Sequence, residues 1–158
     1  MPPDEVVAAL LAGLNARAWT VAAAESDTGG LLLDWLIARP GSSRAVLGGV
    51  VAYHDSLKQS LLSVAPELLA RHGAVSGAVA EAMAEGIRRA TGADVGLATT
   101  GIAGPGGATA TKPVGLAYVA AASAAGLLVR EHRWQGDRAA NRRASALAAL
   151  ELAVETLS

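Results

Sequence analysis

The sequence predicts an α/β fold in which a mixed β-sheet carries helices on both faces. Short apolar segments typical of buried strands alternate with helical segments over residues 4–100. Two further strand segments, Val114–Ser123 and Leu127–Trp134, are joined by the tight turn Ala125-Gly126 and must therefore be antiparallel. The last segment, Asp137–Leu157, is helical. Alternating strands and helices followed by a hairpin predict one mixed sheet between helices.

Length and composition indicate one folded domain over residues 1–158. Hydrophobic residues make up 52% of the chain and charged residues 17%, which excludes intrinsic disorder. A formal net charge of -1 argues against a partner recognised by its phosphate backbone, so no nucleic-acid partner is expected. The absence of cysteine excludes disulfides, cysteine metal clusters and a thiol nucleophile. No apolar run is long enough to span a membrane, and the acidic start lacks a signal-peptide pattern, so a cytoplasmic location is expected.

Residues 4–53 contain four predicted elements. A helix over Asp4–Ala18 places one apolar stripe on the core, formed by Val6, Val7, Leu10, Leu11 and Leu14. A short buried strand over Thr20–Ser26 is followed by a helix over Leu31–Arg39, which ends at Pro40-Gly41. A glycine-interrupted strand covers Val46–Tyr53.

The next elements lead to the hairpin. Asp55 or Ser56 is expected to cap a helix that starts at about Leu57. The remaining elements are a helical turn at Pro66–Arg71, a helix from Ser76 to Ala90 and a strand over Asp94–Thr100.

The strongest local signal for a functional site is the polar turn from Glu25 to Gly30. It follows a buried strand and opens a helix, so free backbone N–H groups and a positive helix end meet where an anion or oxyanion would be stabilised. Ser26 lies at the carboxyl end of the strand, where open α/β sheets place their sites. An equally plausible interpretation from spacing alone is that Asp27 or Thr28 is simply an N-cap.

Tyr53 and Lys58 form the best candidate base for a hydroxyl nucleophile. Tyr53 ends a strand and Lys58 lies in the first turn of the next helix, so both can face the same sheet edge. A cation in that turn is disfavoured by the helix macrodipole, which lowers its pKa towards that of a useful base. Taken alone, Lys58 would be interpreted as a solvated surface lysine. Of the histidines, only His54 lies near this site and stays open as an alternative.

A third candidate region is the glycine-rich loop from Thr99 to Gly107. Its glycines permit close approach of a ligand to the backbone, although the loop matches neither a P-loop nor a dinucleotide fingerprint. Arg142 and Arg143 lie in the first turns of the last helix, where a cation is misplaced unless it holds an anion. Asp137 is interpreted as the N-cap of that helix.

Six ordered segments resemble a known family. They are AESDTGG, GGVVAYHDSLK, RHGAVS, TTGIAGPGG, KPVG and GDRAANRR, and together they cover nearly the whole chain from Thr20 onwards. The chain resembles the C-terminal domain of the competence/damage-inducible protein CinA, a domain that also occurs alone as nicotinamide mononucleotide deamidase. The resemblance implies a three-layer α/β/α fold. It also implies hydrolysis of the carboxamide of nicotinamide mononucleotide, with no cofactor and no metal.

The resemblance also implies roles for individual residues. Ser26 matches the family's nucleophile, Lys58 its base and Tyr53 the tyrosine that assists them. Substrate-binding positions implied by the match and the two glycine-containing turns are Thr28, Gly29, Gly30, Thr100, Gly101 and Arg142. Arg138 and Arg143 are alternatives to Arg142 for holding the phosphate. The expected partner is a small-molecule nucleotide substrate, with no membrane partner and a possible homodimer.

One residue departs from the family pattern. The family usually has Cys after the nucleophile, whereas this chain has Asp27. A carboxylate beside a developing oxyanion and a phosphorylated substrate opposes both electrostatically. Two alternatives therefore stay open: a catalytically impaired nucleotide-binding or regulatory module, and a related amidase of another substrate.

Overall fold

The computed structural model describes residues 1–158 and confirms the mixed α/β fold. The helices are α1 Pro3–Arg17, α2 Leu31–Ala38, α3 Asp55–Leu62, α4 Pro66–His72, α5 Gly77–Thr91 and α6 Arg138–Thr156. The strands are β1 Val21–Glu25, β2 Val46–Val51, β3 Val95–Gly101, β4 Leu116–Ser123 and β5 Gly126–Arg133. None of these helices combines the length and the apolar character that crossing a membrane requires.

The sheet has the strand order β2-β1-β3-β4-β5. Strands β2 and β3 flank β1 and run parallel to it, whereas β4 is antiparallel to β3 and β5 is antiparallel to β4. The carboxyl ends of β1, β2 and β3 therefore meet at one edge of the sheet. The turns that follow these three strands carry the candidate site residues.

Alternation along the strands divides the core into two layers, one on each face of the sheet. Val21 and Ala23 of β1 pack in the cluster formed with α1, α2 and α6. Ala22 and Ala24 point to the opposite face and pack in the cluster formed with α3 and α5. The chain is thus a three-layer α/β/α domain, as the resemblance implied.

Small residues let the helices on the second face come close to the sheet and to each other. The buried hydrophobic residues that the strands contribute to this cluster are all alanines: Ala22, Ala24, Ala98, Ala120 and Ala122. Within α5, a Cβ added to Gly86 would lie 2.1 Å from the carbonyl oxygen of Leu62, the last residue of α3. This close contact holds α3 against α5. The buried side chains of α3 are Lys58 and Leu62.

Two local expectations are corrected by the structure. Helix α3 begins at Asp55, earlier than expected, and its cap is His54, whose Nδ1 accepts the N–H of Ser56 at 3.1 Å. Strand β2 ends at Val51, so Tyr53 lies two residues beyond it. Other boundaries differ by one or two residues. Asp137 caps α6 as expected, and Ser76, predicted as the first residue of α5, is its N-cap.

Candidate active site

The turn after β1 is organised by Glu25, the last residue of that strand. Its buried carboxylate accepts the N–H groups of Leu32 and Leu33, both at 2.9 Å, in the first turn of α2. Glu25 therefore caps α2 across the turn, a role that carboxylates fill well because they match the positive helix end. The N-cap position itself is Gly30, which makes no side-chain cap. The interpretation of Asp27 or Thr28 as the N-cap is wrong for this reason.

Two threonine hydroxyls predicted to bind substrate are used within the protein. The Thr28 hydroxyl donates to Glu25 Oε1 at 2.6 Å and also contacts the Thr99 hydroxyl at 2.7 Å. The Thr100 hydroxyl donates to the carbonyl of Ala74 at 2.8 Å. Both side chains are buried, so these hydroxyls hold the turn and the loop before α5, and their contact with a substrate stays a prediction.

Ser26 and Lys58 come together at the carboxyl edge of the sheet. The Lys58 ammonium nitrogen lies 3.1 Å from Ser26 Oγ, although the residues are far apart in the chain. The same nitrogen contacts the carbonyl oxygens of Ala52 at 2.9 Å and Tyr53 at 3.1 Å. The Lys58 side chain is only 1% exposed, which excludes the interpretation as a solvated surface lysine.

Burial of Lys58 favours the neutral form of its amine. Burial lowers the pKa of Lys58 below its usual range, and the carboxylate of Asp55, at 3.7 Å, opposes that shift. A neutral amine has two N–H donors and one lone pair. When Lys58 is protonated, its ammonium donates to Ser26 Oγ and to the carbonyls of Ala52 and Tyr53. Once it is neutral, the two carbonyls take its two donors and the lone pair faces the Ser26 hydroxyl. The arrangement can therefore remove the hydroxyl proton, as required of a serine nucleophile.

The pH dependence of turnover is expected to change when Asp55 is replaced by Asn. If neutral Lys58 is the base, kcat/KM rises with pH through the pKa of Lys58 and then levels off. Asp55 raises that pKa, so Asp55→Asn is expected to move the rising limb to lower pH. The shift is expected to be modest, because Asp55 is half-exposed and its charge is partly screened by solvent. The measurement is a pH profile of both proteins, with Glu67→Gln as a control on the neighbouring helix. An unchanged limb, or one at higher pH, would show that Lys58 is not the titrating base.

A cleft of about 340 Å³ opens beside Ser26. Its lining residues are Ser26, Asp27, Gly29, Val51, Tyr53, Arg138 and Arg142. The volume lies at the lower end of the range for small-molecule sites. The Tyr53 side chain is 63% exposed, and its hydroxyl accepts a hydrogen bond from Arg138 at 3.4 Å. Tyr53 thus reaches Lys58 through its backbone carbonyl, and its hydroxyl makes no hydrogen bond to Ser26 or Lys58.

The three arginines near the start of α6 have different positions. Arg142 lines the cleft, but its Nε and Nη2 already donate to the carbonyls of Asp27 at 2.8 Å and Thr28 at 3.0 Å. Arg143 lies 5.1 Å from the centre of the Trp35 ring and does not line the cleft. Arg138 lines the cleft and donates to the carbonyl of Gly104 at 2.9 Å. Arg142 therefore holds the turn, and Arg138 is the more exposed cation at the cleft.

The glycines of the candidate site shape its backbone. Gly29 and Gly30 have φ values of 63° and 104°, and Gly29 lies against the Arg142 guanidinium. The N–H of Gly29 donates to the carbonyl of Ser26, whereas the N–H groups of Asp27 and Thr28 donate to no other residue. These two N–H groups follow the nucleophile, where an oxyanion can be stabilised. Gly101 ends β3 and faces the carboxyl of Asp27.

The environment of Asp27 raises its pKa to about 6. Burial is the main cause, since the residue is only 6% exposed. Its own backbone N–H and the guanidinium groups of Arg142 and Arg138 oppose the shift. The carboxyl is therefore mostly ionised at neutral pH, with two cations beside it.

Sequence analysis missed the roles of Glu25 and Asn141. Glu25 carried a signal, because it is the one charged residue at the end of an otherwise apolar strand that leads into a helix. Asn141 is buried in α6, where its amide donates to the carbonyl of Ala103 at 3.0 Å and accepts the N–H of Gly136 at 3.0 Å. It holds the glycine-rich loop against α6, a contact that no sequence spacing indicated.

The fold and this site define a three-layer α/β domain with a buried serine–lysine pair at the carboxyl edge of its parallel strands. The family model described as "CinA C-terminal domain" matches residues 4–157. The chain belongs to the CinA C-terminal domain family.

Curated relatives and solved structures agree with that assignment. A "CinA-like protein" of Desulfotalea psychrophila is 51% identical over 136 residues, covering 86% of this chain and 33% of the relative. A "Putative competence-damage inducible protein" of Desulforudis audaxviator is 51% identical over 140 residues, covering 89% of this chain and 33% of the relative. The chain thus spans about a third of the length of these curated relatives.

The similar solved structures match over nearly their whole length. A CinA superfamily protein from Klebsiella pneumoniae has a TM-score of 0.95 at 32% identity, covering 99% of this chain and 98% of that one. A competence/damage-inducible protein from Agrobacterium tumefaciens has a TM-score of 0.94 at 37% identity, covering 98% of this chain and 94% of that one.

Proposed function

We propose that the chain is an amidohydrolase that converts nicotinamide mononucleotide to nicotinate mononucleotide and ammonia. The observation that carries the proposal is the 3.1 Å contact between Lys58 Nζ and Ser26 Oγ at the wall of a cleft. Activity on an amide needs a nucleophile, a base and an oxyanion site. Ser26, Lys58 and the N–H groups of Asp27 and Thr28 supply these three parts. The substrate comes from the family resemblance.

In the acylation step, neutral Lys58 takes the proton of the Ser26 hydroxyl as Oγ attacks the carboxamide carbon. The negative charge that develops on the amide oxygen is held by the N–H groups of Asp27 and Thr28. Lys58 then gives its proton to the amide nitrogen, the C–N bond breaks, and ammonia leaves. Ser26 is left esterified by the pyridine carboxyl group.

The second step restores the enzyme with one water molecule. Lys58, neutral again, takes a proton from water as the water oxygen attacks the ester carbon. The ester bond breaks, Ser26 regains its proton from Lys58, and nicotinate mononucleotide is released. One water is consumed and one ammonia formed in each cycle, so no redox partner is needed.

Asp27 is the observation that favours a second candidate function. A carboxylate next to the nucleophile opposes an oxyanion, which supports a nucleotide-binding module with impaired catalysis. The intact Ser26–Lys58 contact argues against this alternative.

The substrate's phosphate is expected to contribute strongly to turnover. Arg138 lies at the cleft, and a charge-assisted contact to a remote phosphate helps to position the carboxamide against Ser26. Nicotinamide riboside, which lacks the phosphate, is therefore expected to have a kcat/KM lower by roughly tenfold to a hundredfold.

Arginine variants identify the residue that binds the phosphate. The ratio of kcat/KM for the two substrates is expected to fall towards one in Arg138→Ala. It should be unchanged in Arg143→Ala, which alters the arginine stacked on Trp35. Equal kcat/KM for both substrates in the wild-type protein would contradict a phosphate site and favour an amidase of another substrate.

A further inference from the structure

The carboxyl group of Asp27 is the one buried polar group that the fold leaves incompletely bonded. Its Oδ1 is the only buried side-chain nitrogen or oxygen of the chain without a hydrogen-bond partner. Neighbouring buried polar side chains such as Glu25, Thr28 and Lys58 are all bonded. Buried polar atoms without partners are rare and destabilising, so each one calls for a physical explanation.

Asp27 occupies a place where a substrate would meet it. It follows Ser26 directly and lines the same cleft. Its Oδ2 lies over Gly101, so close that a Cβ added to Gly101 would be 2.8 Å away. The carboxyl thus lies between the turn that carries the nucleophile and the end of β3. Rotation about χ2, which is broad for Asp, allows either oxygen to meet a ligand.

The charged groups facing Asp27 come from three elements. Arg138 and Arg142 approach from α6, Lys58 from α3, and Glu25 from the end of β1. The two guanidinium groups against one other carboxylate favour an ionised Asp27 at neutral pH, and Lys58 adds to this only when it is protonated. An ionised carboxylate only accepts hydrogen bonds, so its missing partner is a donor.

We infer that Asp27 selects a primary carboxamide over the carboxylate that hydrolysis leaves. Its carboxylate accepts a hydrogen bond from the N–H2 group of a carboxamide seated against Ser26. The acid product has no N–H at that position and meets Asp27 with a like charge, so it is released readily. This inference rests on the proposed function. It makes Asp27 a specificity-determining residue, whereas the sequence alone predicted only that its carboxylate would repel the oxyanion and the phosphorylated substrate.

Binding measurements on an inactive background test this selectivity. Ser26→Ala and Ser26→Ala/Asp27→Asn are titrated by calorimetry with nicotinamide mononucleotide and with nicotinate mononucleotide, at a pH well above the Asp27 pKa of about 6. With Asp27 present, the amide is expected to bind roughly tenfold to a hundredfold more tightly than the acid. With Asn, which is uncharged and can donate to a carboxylate, the ratio of the two Kd values is expected to approach one, chiefly because the acid binds more tightly.

A pH series adds a readout that a purely structural role would not change. As the pH falls through about 6, Asp27 becomes protonated, and acid binding should strengthen in the protein that retains Asp27. In the Asp27→Asn protein, the pH dependence of Kd that remains comes from the ligand's own phosphate, which titrates in the same range. The difference between the two pH profiles is therefore the contribution of Asp27.

The outcomes separate the two proposals. If both nucleotides bind and their Kd ratio is the same with Asp27 and Asn, the role of Asp27 is overturned and the proposed function stands. If neither nucleotide binds to either protein, the proposed substrate is wrong and the inference falls with it. Thermal unfolding checks that the Asn protein is folded, and Asp27→Cys replaces it in the same measurements if it is not.

Discussion

Replacing Lys58 by Met is expected to lower kcat for amide hydrolysis by roughly a thousandfold or more. Met fills a similar volume but has no lone pair with which to take the Ser26 proton, and a positioned base contributes about 10²–10⁴-fold. The Lys58 Nζ that the variant lacks lies 3.1 Å from Ser26 Oγ. The loss of activity should therefore appear mainly as a lower kcat, with a smaller change in KM. The measurement is steady-state ammonia release, with thermal unfolding to establish that the variant is folded.

Lys58→Arg separates charge from basicity. Arg keeps a positive charge but stays protonated, so it is expected to be as inactive as Met. Its larger side chain must fit a buried position, which makes the unfolding control necessary here too. An Arg variant with substantial turnover would show that Lys58 acts as a fixed charge, and a Met variant within tenfold of wild type would remove Lys58 from the mechanism.

Glu25→Ala is expected to destabilise the fold by about 3 kcal/mol or more. Its carboxylate accepts the N–H groups of Leu32 and Leu33 and the hydroxyl of Thr28. Truncation removes this acceptor from three donors, two of them in buried hydrogen bonds, and leaves a cavity at the end of β1. Each unsatisfied buried group costs about 1–3 kcal/mol. Urea unfolding measures the change in the free energy of unfolding.

Two controls test whether the loss of stability in Glu25→Ala comes from the hydrogen bonds of the turn. Glu25→Gln keeps one acceptor oxygen and a similar shape, so its loss is expected to be smaller than that of Ala. Glu67→Ala removes an acidic residue from the first turn of α4, where it caps nothing, and is expected to change stability by less than about 1 kcal/mol. A Glu25→Ala protein as stable as the Glu67→Ala protein would contradict the capping role.

Strand ends made part of this site predictable from the sequence. Ser26 follows one apolar strand, and Lys58 lies in the first turn of the helix that follows another. The sheet edge that would bring them together could therefore be inferred before any contact was known. The mixed sheet followed in the same way from alternating strands and helices before a two-stranded hairpin. Sequence periodicity carries such information because it fixes which residues end each element.

Other parts of the site depend on directions that sequence spacing does not contain. Tyr53 lies beyond the end of β2, where strand alternation no longer determines side-chain direction, and its hydroxyl turns to Arg138. Glu25 caps α2 from the preceding strand, whereas the known capping patterns involve only residues within three positions of the helix start. Thr28 and Arg142, which were predicted to bind substrate, also make hydrogen bonds that hold the turn itself. In each case a tertiary contact determines the role.

The most direct test of the central claim is ammonia release from nicotinamide mononucleotide by the wild-type chain and by Ser26→Ala. The wild-type protein is expected to yield equal amounts of ammonia and nicotinate mononucleotide. Ser26→Ala should release neither product above the buffer control while still binding the nucleotide, because only the nucleophilic oxygen has been removed. Release by Ser26→Ala at the wild-type rate would contradict the claim that Ser26 is the nucleophile. A folded wild-type protein that releases no ammonia would contradict the proposed amidohydrolase activity itself.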